Sequence, residues 1–304
     1  MEKTTAFAPC HVTGFFQIFD DSADALNVGS RGAGVSLGLG VKTLVKTRRS
    51  SASSLRVSIN GVVSDSAEVS EQVVKVLRSR FKEVANSEIV VDHSIEVPFG
   101  AGFGTSGAGA LSLALAVNKA FDLGLSRTEA AQIAHIAEVE CKTGLGTVIA
   151  ETSGGAEIRV KPGAPGVGEI TQMTVPKEAM IASMVFGPLS TKHLLSDQKT
   201  RTRINELGGK LVDELLREPT VSNFLRLSRQ FAEYVGLITE NMRKALNLAN
   251  GTGLVCSMPM FGEAVFTLGK RELLEELLEN LRKNGLNGRS LITKIDFKGA
   301  RLLE

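Results

Sequence analysis

A glycine-rich stretch, PFGAGFGTSG, has a spacing that suits phosphate binding. Gly102, Gly104 and Gly107 match the pattern G-x-G-x-x-G, and the apolar run that follows them predicts a helix. The first amide groups of a helix lack intrahelical partners, so they attract anionic oxygens. Thr105 and Ser106 add two hydroxyl groups, one of which can cap the helix while the other could coordinate Mg²⁺.

Two common nucleotide-binding motifs do not fit this stretch. A dinucleotide fold needs a second strand that ends in an acidic residue about 20 positions on, whereas Gly107 is followed by two predicted helices with Asp122 between them. A P-loop needs G-x-x-x-x-G-K-[ST], and neither Gly-Lys pair of the chain has a glycine at the required position. The remaining interpretations are a phosphate-binding loop and a glycine-rich helix start that only packs closely on a sheet.

The loop resembles the phosphate loop of the GHMP kinases, the superfamily of galactokinase, homoserine, mevalonate and phosphomevalonate kinases. The family pattern P-x-x-x-G-L-G-S-S-A-A is matched, with Phe103 and Thr105 as mild variants, by Pro98, Gly102, Phe103, Gly104, Thr105, Ser106, Gly107 and Ala108. Five other stretches are together similar to the archaeal pantoate kinases of this superfamily: AFAPCHVTGFFQIFD, NVGSRGAGVSL, AEVECKTGLGTV, GGAEIRVKPGAPG and GPLSTKHLL.

This resemblance implies an α+β fold of two domains with ATP and the acceptor alcohol between them. The first would be a ribosomal-protein-S5-like nucleotide-binding domain and the second a ferredoxin-like GHMP kinase domain. Because the sequence becomes helix-rich and polar soon after residue 177, we expect the domains at 1–176 and 177–304. The implied reaction is the phosphorylation of pantoate by ATP to 4-phosphopantoate, in archaeal coenzyme A synthesis.

The resemblance also implies which residues bind ATP and its metal ion. Mg²⁺ is expected on Ser106 and on a carboxylate of a later helix, where Glu138 and Glu140 compete. We expect Glu138, because the carboxylate of the family aligns best with the first acid of the stretch AEVE. Residues two apart on a helix face different sides, so we do not expect both acids to bind the metal ion. The residues expected to bind ATP are Pro98, Gly100, Gly102, Gly104, Thr105, Ser106 and Gly107.

Two positions bear on the transfer step. His11 stands where relatives place a lysine or histidine near the transferring phosphate, so we expect it to be catalytic and to contact the substrate. Thr147 matches a position where several members of the superfamily have an aspartate base. Threonine is not a base at neutral pH, so the base stays unassigned: another carboxylate such as Asp20 or Asp21, or transfer without a base, are the alternatives.

The carboxylate of pantoate requires a cation away from the ATP loop. Arg31 is the expected one, because neighbouring glycines allow a tight turn there and a guanidinium can bind a carboxylate through two parallel hydrogen bonds. Lys161 and Lys192 are weaker cation candidates for the phosphoryl-transfer site, and Lys192 is the next candidate after Arg31 for the carboxylate. His135 lies three residues before Glu138, and we interpret it as a packing residue because no further His or Cys ligands surround it.

Composition limits the other partners. A chain of 304 residues that is 43% hydrophobic, with a net charge of +2, predicts no nucleic-acid or membrane partner. Its three cysteines, Cys10, Cys141 and Cys256, are far apart, which argues against a disulfide framework or a structural zinc site. The sequence has no signal-peptide pattern and no apolar run of about 18 residues. We therefore expect a cytoplasmic enzyme with a small-molecule substrate, and a homodimer is left open.

Two other functions remain at this stage. One is a GHMP kinase for another small acidic alcohol, such as mevalonate, homoserine or shikimate. The other is a nucleotide-binding module without turnover, suggested by Thr147 and by CSMPMFGEAVFTL, where a glycine-rich family motif is reduced to Gly262.

Local patterns predict the elements that must position these residues. Short strands separated by Gly, Ser and Asp clusters are expected over the first 60 residues, and a strand is expected in SEIVVDHSIEVPF before the loop. Helical spacing begins at Val69 and recurs in AGALSLALAVNKAF and TEAAQIAHIAEVECK. Further strands are expected in GGAEIRVK, EITQMTV, IASMVFG, GLVCSM, EAVFTLG and ITKIDF, with a helix in LLEELLENLRK.

Overall fold

The computed structural model describes residues 2–188 and 197–304. Lys192, one of the weaker cation candidates, lies outside these residues, as does most of the GPLSTKHLL stretch. Within the described part, two sheets, nine α-helices and two short 3-10 helices build an α+β structure.

The first sheet is built on a long antiparallel hairpin. Its two strands are β1 (Glu2–Phe19) and β2 (Gly29–Arg49), and β1 carries register shifts between Pro9 and His11 and between Thr13 and Phe15. The other strands of this sheet are β3 (Ser54–Ile59), β4 (Val62–Val63), β5 (Ser87–Ile95), β6 (Ala156–Lys161), β7 (Glu169–Gln172) and β11 (Arg301–Leu303). The order is β11-β1-β2-β5-β3-β4, and β6 and β7 extend from the first half of β2.

The prediction of several short strands over the first 60 residues is wrong. Most of the glycines there lie inside β1 and β2, where they leave space for neighbouring side chains. A Cβ on Gly40, for example, would lie 2.7 Å from ring atoms of Phe7. The glycines therefore permit close packing between two long bent strands and do not end them.

Five helices accompany the first sheet, as the helical spacing predicts for its three longer ones. They are α1 (Glu68–Arg80), α2 (Lys82–Ala85), α3 (Thr105–Ala120), α4 (Arg127–Cys141) and α5 (Thr147–Ser153). Helix α3 is buried on almost every side and packs on β1, β2 and α4, which explains why it is apolar around its whole circumference. Helix α4 begins with a capping box in which Ser126 and Glu129 each accept a hydrogen bond from the other's backbone.

The second sheet has the order β10-β8-β9 and is antiparallel. Its strands are β8 (Met180–Gly187), β9 (Glu263–Gly269) and β10 (Arg289–Lys294). The helices that connect these strands along the sequence are α6 (Gln198–Arg217), α7 (Val221–Val235), α8 (Glu240–Ala249) and α9 (Arg271–Lys283). Helices α8 and α9 pack on the second sheet, whereas α6 packs on β1 and β2 of the first sheet and α7 packs mainly on β1. The predicted strand GLVCSM is wrong: Ser257 makes only an isolated bridge to Phe266.

The last strand returns to the first sheet. β11 pairs with β1 through Thr5, Ala6 and Phe7, so the two sheets do not divide cleanly at residue 177. The division into 1–176 and 177–304 stays a prediction, with the last strand as its exception. No helix in the described part is long and apolar enough to span a membrane.

Candidate active site

A cavity of about 120 Å³ lies between the glycine-rich loop and the elements that face it. The loop before α3 forms one wall, the turn before α5 forms another, and side chains of β1, β2 and β6 close the inner end. The lining residues are His11, Thr13, Phe16, Ser30, Gly100, Gly102, Phe103, Gly104, Thr105, Ser106, Thr143, Gly144, Leu145, Gly146, Thr147, Arg159, Met260 and Phe261.

The glycine-rich loop has a backbone that requires glycine. Gly100, Gly102 and Gly104 have φ angles of +72°, +77° and +65°, which other residues rarely adopt. Gly104 is the N-cap of α3 and no side chain caps this helix, so the prediction that Thr105 or Ser106 caps it is wrong. Both hydroxyl residues lie in the first turn of α3 and line the cavity.

The glycine-rich loop contacts β1 of the first sheet and the segment before β9 of the second sheet. The His11 amide donates a 2.9 Å hydrogen bond to the Phe103 carbonyl, which joins the loop to β1. A Cβ on Gly102 would lie 2.9 Å from the Gly262 amide nitrogen, so the segment before β9 packs directly on the loop. The weak third motif thus still closes the cavity, with Met260 and Phe261 as its contribution.

Glu138 lies beneath the loop and is 2% exposed. Thr143 donates a 2.7 Å hydrogen bond to its Oε1, and Ser106 is also hydrogen-bonded to this carboxyl. Burial raises the pKa of Glu138 to about 7, and the two hydroxyl hydrogen bonds oppose that rise. Glu140, by contrast, is exposed on the other side of α4, where Gln72 donates a hydrogen bond to it. Ser106 and Glu138 lie within hydrogen-bond distance of each other and carry the hard oxygen atoms that could hold Mg²⁺.

A second buried carboxyl, Glu151, lies on α5 and is 0% exposed. Neither of its oxygens has a hydrogen-bond partner among the described residues. Burial raises the pKa of Glu151 well above the usual range, and the carboxyls of Glu138 and Glu157 raise it further. A buried acid without a hydrogen-bond partner beside the glycine-rich loop could pair with a cation.

His11 belongs to a buried charge network with Glu157 and Arg159 at the inner end of the cavity. The His11 Nε2 donates to Glu157 over 3.0 Å, and Arg159 Nη1 donates to the same carboxylate. All three residues are 1% exposed or less. Burial lowers the pKa of Arg159 while Glu157 opposes that change. The Arg159 Nε has no partner among the residues described, so this guanidinium keeps an unused donor.

Glycines in β2 and in the turn before α5 make room for this network. A Cβ on Gly32 would lie 2.6 Å from Arg159 Nη2, and one on Gly146 would lie 2.9 Å from Arg159 Nε. A Cβ on Gly34 would contact the His11 ring. The tight turn predicted around Arg31 is therefore wrong, since these positions form a regular strand.

Arg31 points away from the cavity. Its Nε donates to the Val160 carbonyl over 3.0 Å, and its Nη2 donates to Asp213 of α6 over 2.5 Å. The structure does not bring this side chain to the loop, because alternate residues of a strand face opposite sides and the neighbouring Ser30 lines the cavity instead.

The other sequence candidates fall outside the cavity lining. Asp20 is paired with Arg201 over 2.7 Å in a surface groove beside α6, which Asp21 also lines. Lys161 is 55% exposed and faces Glu169. His135 hydrogen-bonds the carbonyl groups of a turn after β1, as a packing residue does.

Two residues of the expected ATP set do not line this cavity. Pro98 lines a neighbouring groove between the loop and β8, and Gly107 is buried inside α3. The other five members of that set all line it.

Sequence reasoning missed Glu157, Arg159 and Glu151. A signal was available for the first two, because opposite charges two residues apart on a strand lie on the same face, and here they alternate with the apolar residues Ala156 and Ile158. Glu151 gives no such signal, since its burial depends on how α5 packs under the loop.

Comparisons with known proteins show the family to which the chain belongs. The family model described as the GHMP kinases N-terminal domain matches residues 68–155. Pantoate kinase of Methanocaldococcus jannaschii is 35% identical over 278 residues, which is 91% of this chain and 96% of that protein. Pantoate kinase of Thermococcus kodakarensis is 35% identical over 277 residues, 89% of each chain. A solved structure described as a phosphotransferase related to the CoA biosynthesis pathway has a TM-score of 0.89 at 31% identity, covering 99% of this chain and 98% of that one.

Proposed function

The chain belongs to the pantoate kinase family of the GHMP kinases, and from this premise we propose that it transfers the γ-phosphoryl group of ATP to the terminal hydroxyl of pantoate. The products are ADP and 4-phosphopantoate, and the reaction is a step of coenzyme A synthesis. The observation that carries this proposal is Arg159, a buried cation with an unused donor in the same cavity as the phosphate loop.

The loop and its neighbours account for the nucleotide end of the reaction. The backbone of Gly100, Gly102 and Gly104 lies open to the cavity, and no Cβ blocks the approach of phosphate oxygens. Ser106 and Glu138 would hold Mg²⁺ as hard oxygen ligands. A Mg²⁺ ion bound there would neutralise charge on the transferring phosphoryl group.

The inner end of the cavity accounts for recognition of the acceptor alcohol. Pantoate has a carboxylate at one end, a hydroxymethyl group at the other and two methyl groups between them. Arg159 supplies the buried guanidinium for the carboxylate. Phe16, Met260 and Phe261 supply apolar surface for the methyl groups.

No carboxylate lies among the described residues that line the cavity. Phosphoryl transfer passes through a loose transition state and depends mainly on positioning and charge neutralisation. In this proposal His11, held by Glu157, orients the reacting hydroxyl and phosphoryl groups, and transfer needs no aspartate at position 147.

The test is ADP release with ATP, Mg²⁺ and one acceptor at a time: pantoate, mevalonate, homoserine or shikimate. We expect the largest kcat/KM for pantoate. A larger value for one of the other alcohols would replace pantoate as the substrate, and ATP binding without any stimulated ADP release would indicate a nucleotide-binding module.

A further inference from the structure

Glu151 is the acidic group of the site that the proposed function leaves without a role. It lies four residues after Thr147 on α5, so both side chains share one face of that helix. Thr147 lines the cavity and Glu151 lies behind it, fully buried. Within the described structure both Glu151 oxygens lack a hydrogen-bond partner.

The Glu151 carboxyl touches the start of α3. A Cβ on Gly104 would lie 2.6 Å from Glu151 Oε1, and one on Gly107 would lie 2.9 Å from Glu151 Oε2. The same point beside Gly107 is 3.5 Å from Glu138 Oε2. The two carboxyls therefore flank one backbone position in the first turn of α3, next to the Ser106 hydroxyl.

Glu138 and Glu151 differ from the third buried acid, Glu157, because they have no positively charged partner among the described residues. Glu157 is paired with His11 and Arg159. Glu138 receives hydrogen bonds only from hydroxyl groups, and for Glu151 no ion pair occurs in the described ranges. In the proposed function, the phosphate groups of ATP bind to the glycine-rich loop and add further negative charge beside Glu138 and Glu151. A buried carboxyl either stays protonated or is paired with a cation, and a divalent cation between these two carboxyls would allow both of them to ionise beside the loop.

We propose that Glu151 is a second carboxylate ligand of the divalent cation that Ser106 and Glu138 would hold. This inference rests on the proposed function for the identity of the cation as Mg²⁺. The cation balances the two buried carboxyls, and the three oxygen-bearing side chains match the hard ligands that Mg²⁺ prefers. Thr147, one turn earlier on the same face, offers a hydroxyl to the cavity and leaves the carboxylate contribution to Glu151.

The experiment measures Mn²⁺ binding by water-proton relaxation, on the full chain without nucleotide and again with saturating ADP. The variants are Glu151→Gln, which keeps the shape and removes the charge, and Glu140→Gln as the matched control on the exposed side of α4. We expect Glu151→Gln to weaken Mn²⁺ binding at least ~10-fold and Glu140→Gln to leave it unchanged. Wild-type Mn²⁺ affinity in Glu151→Gln overturns the proposal.

Weak Mn²⁺ binding by Glu151→Gln could also result from poor folding of the variant. The melting temperature (Tm) of the variant, measured with and without Mn²⁺, distinguishes the two causes. In metal-free buffer Glu151→Gln should melt no lower than the wild type, because it removes an unpaired buried acid, and Mn²⁺ should raise its Tm less than it raises that of the wild type. A metal-free Tm below the wild type would make Glu151 a structural group and overturn the proposal.

These readouts also separate this inference from the proposed function. If the wild type binds Mn²⁺ in a Glu151-dependent way yet releases no ADP with pantoate, only the proposed function fails. If pantoate is phosphorylated but Glu151→Gln binds Mn²⁺ normally, only this inference fails.

Discussion

Replacing Arg159 by alanine is expected to raise the KM for pantoate far more than the KM for ATP. The guanidinium is 1% exposed and keeps a free Nε donor, so its hydrogen bonds to a carboxylate would form away from solvent. A hydrogen bond to a charged group contributes about 1.5–3 kcal/mol. Losing a two-bond contact, with partial compensation by water in the vacated space, costs about 3 kcal/mol, which is roughly 150-fold in KM.

The assay is steady-state ADP release at varied pantoate and then at varied ATP. Arg159→Lys should restore part of the loss, because lysine keeps the charge but lacks the planar fork. Arg31→Ala is the matched control, since Arg31 is occupied by Asp213 and Val160 on the far side of β2. Each variant's Tm is recorded, because Glu157 loses a partner when Arg159 is removed. An unchanged pantoate KM in Arg159→Ala together with a raised one in Arg31→Ala would refute this reasoning.

Three further predictions concern the metal ligands and the core. Ser106→Ala should lower kcat at least ~10-fold, the equivalent of 1.36 kcal/mol, with an unchanged Tm; near wild-type kcat at limiting Mg²⁺ would contradict its role. Glu138→Gln should lower kcat similarly while Glu140→Gln should not. The reverse result would show that Glu140, and not Glu138, is the metal ligand on α4. His93 is a buried residue of β5. Burial lowers its pKa to about 4, so the stability from keeping it neutral is complete above pH 6.5 and is lost as pH falls from 6.5 to about 4, by about 3 kcal/mol. Chemical denaturation at several pH values should show a smaller loss in His93→Gln; identical pH profiles for the two proteins would contradict this account.

The loop and the helices around it could be predicted from the sequence because their signals are local. Helical periodicity places α1, α3 and α4 to within a few residues. Helix geometry predicts that Glu138 and Glu140 face different sides, and the family resemblance selects Glu138; the structure puts Glu138 under the loop and Glu140 on the surface.

What could not be predicted depends on contacts between distant segments. Gly32 and Gly34 look like turn residues in the sequence, yet their function is to leave space for Arg159 and His11. The sequence likewise points to Arg31 and gives no reason to consider Arg159, because only the pairing of β2 with β6 shows which arginine faces the cavity. The return of β11 to the first sheet is another long-range contact without a local signal.

The most direct test of the central claim is the identity of the phosphorylated product. The enzyme is incubated with ATP, Mg²⁺ and pantoate, and the product is examined by proton-coupled ³¹P NMR. The account predicts a new phosphomonoester whose phosphorus couples to the two protons of a methylene group, because the terminal hydroxyl accepts the phosphoryl group. Coupling to a single methine proton, or the absence of any new phosphoester, would contradict it.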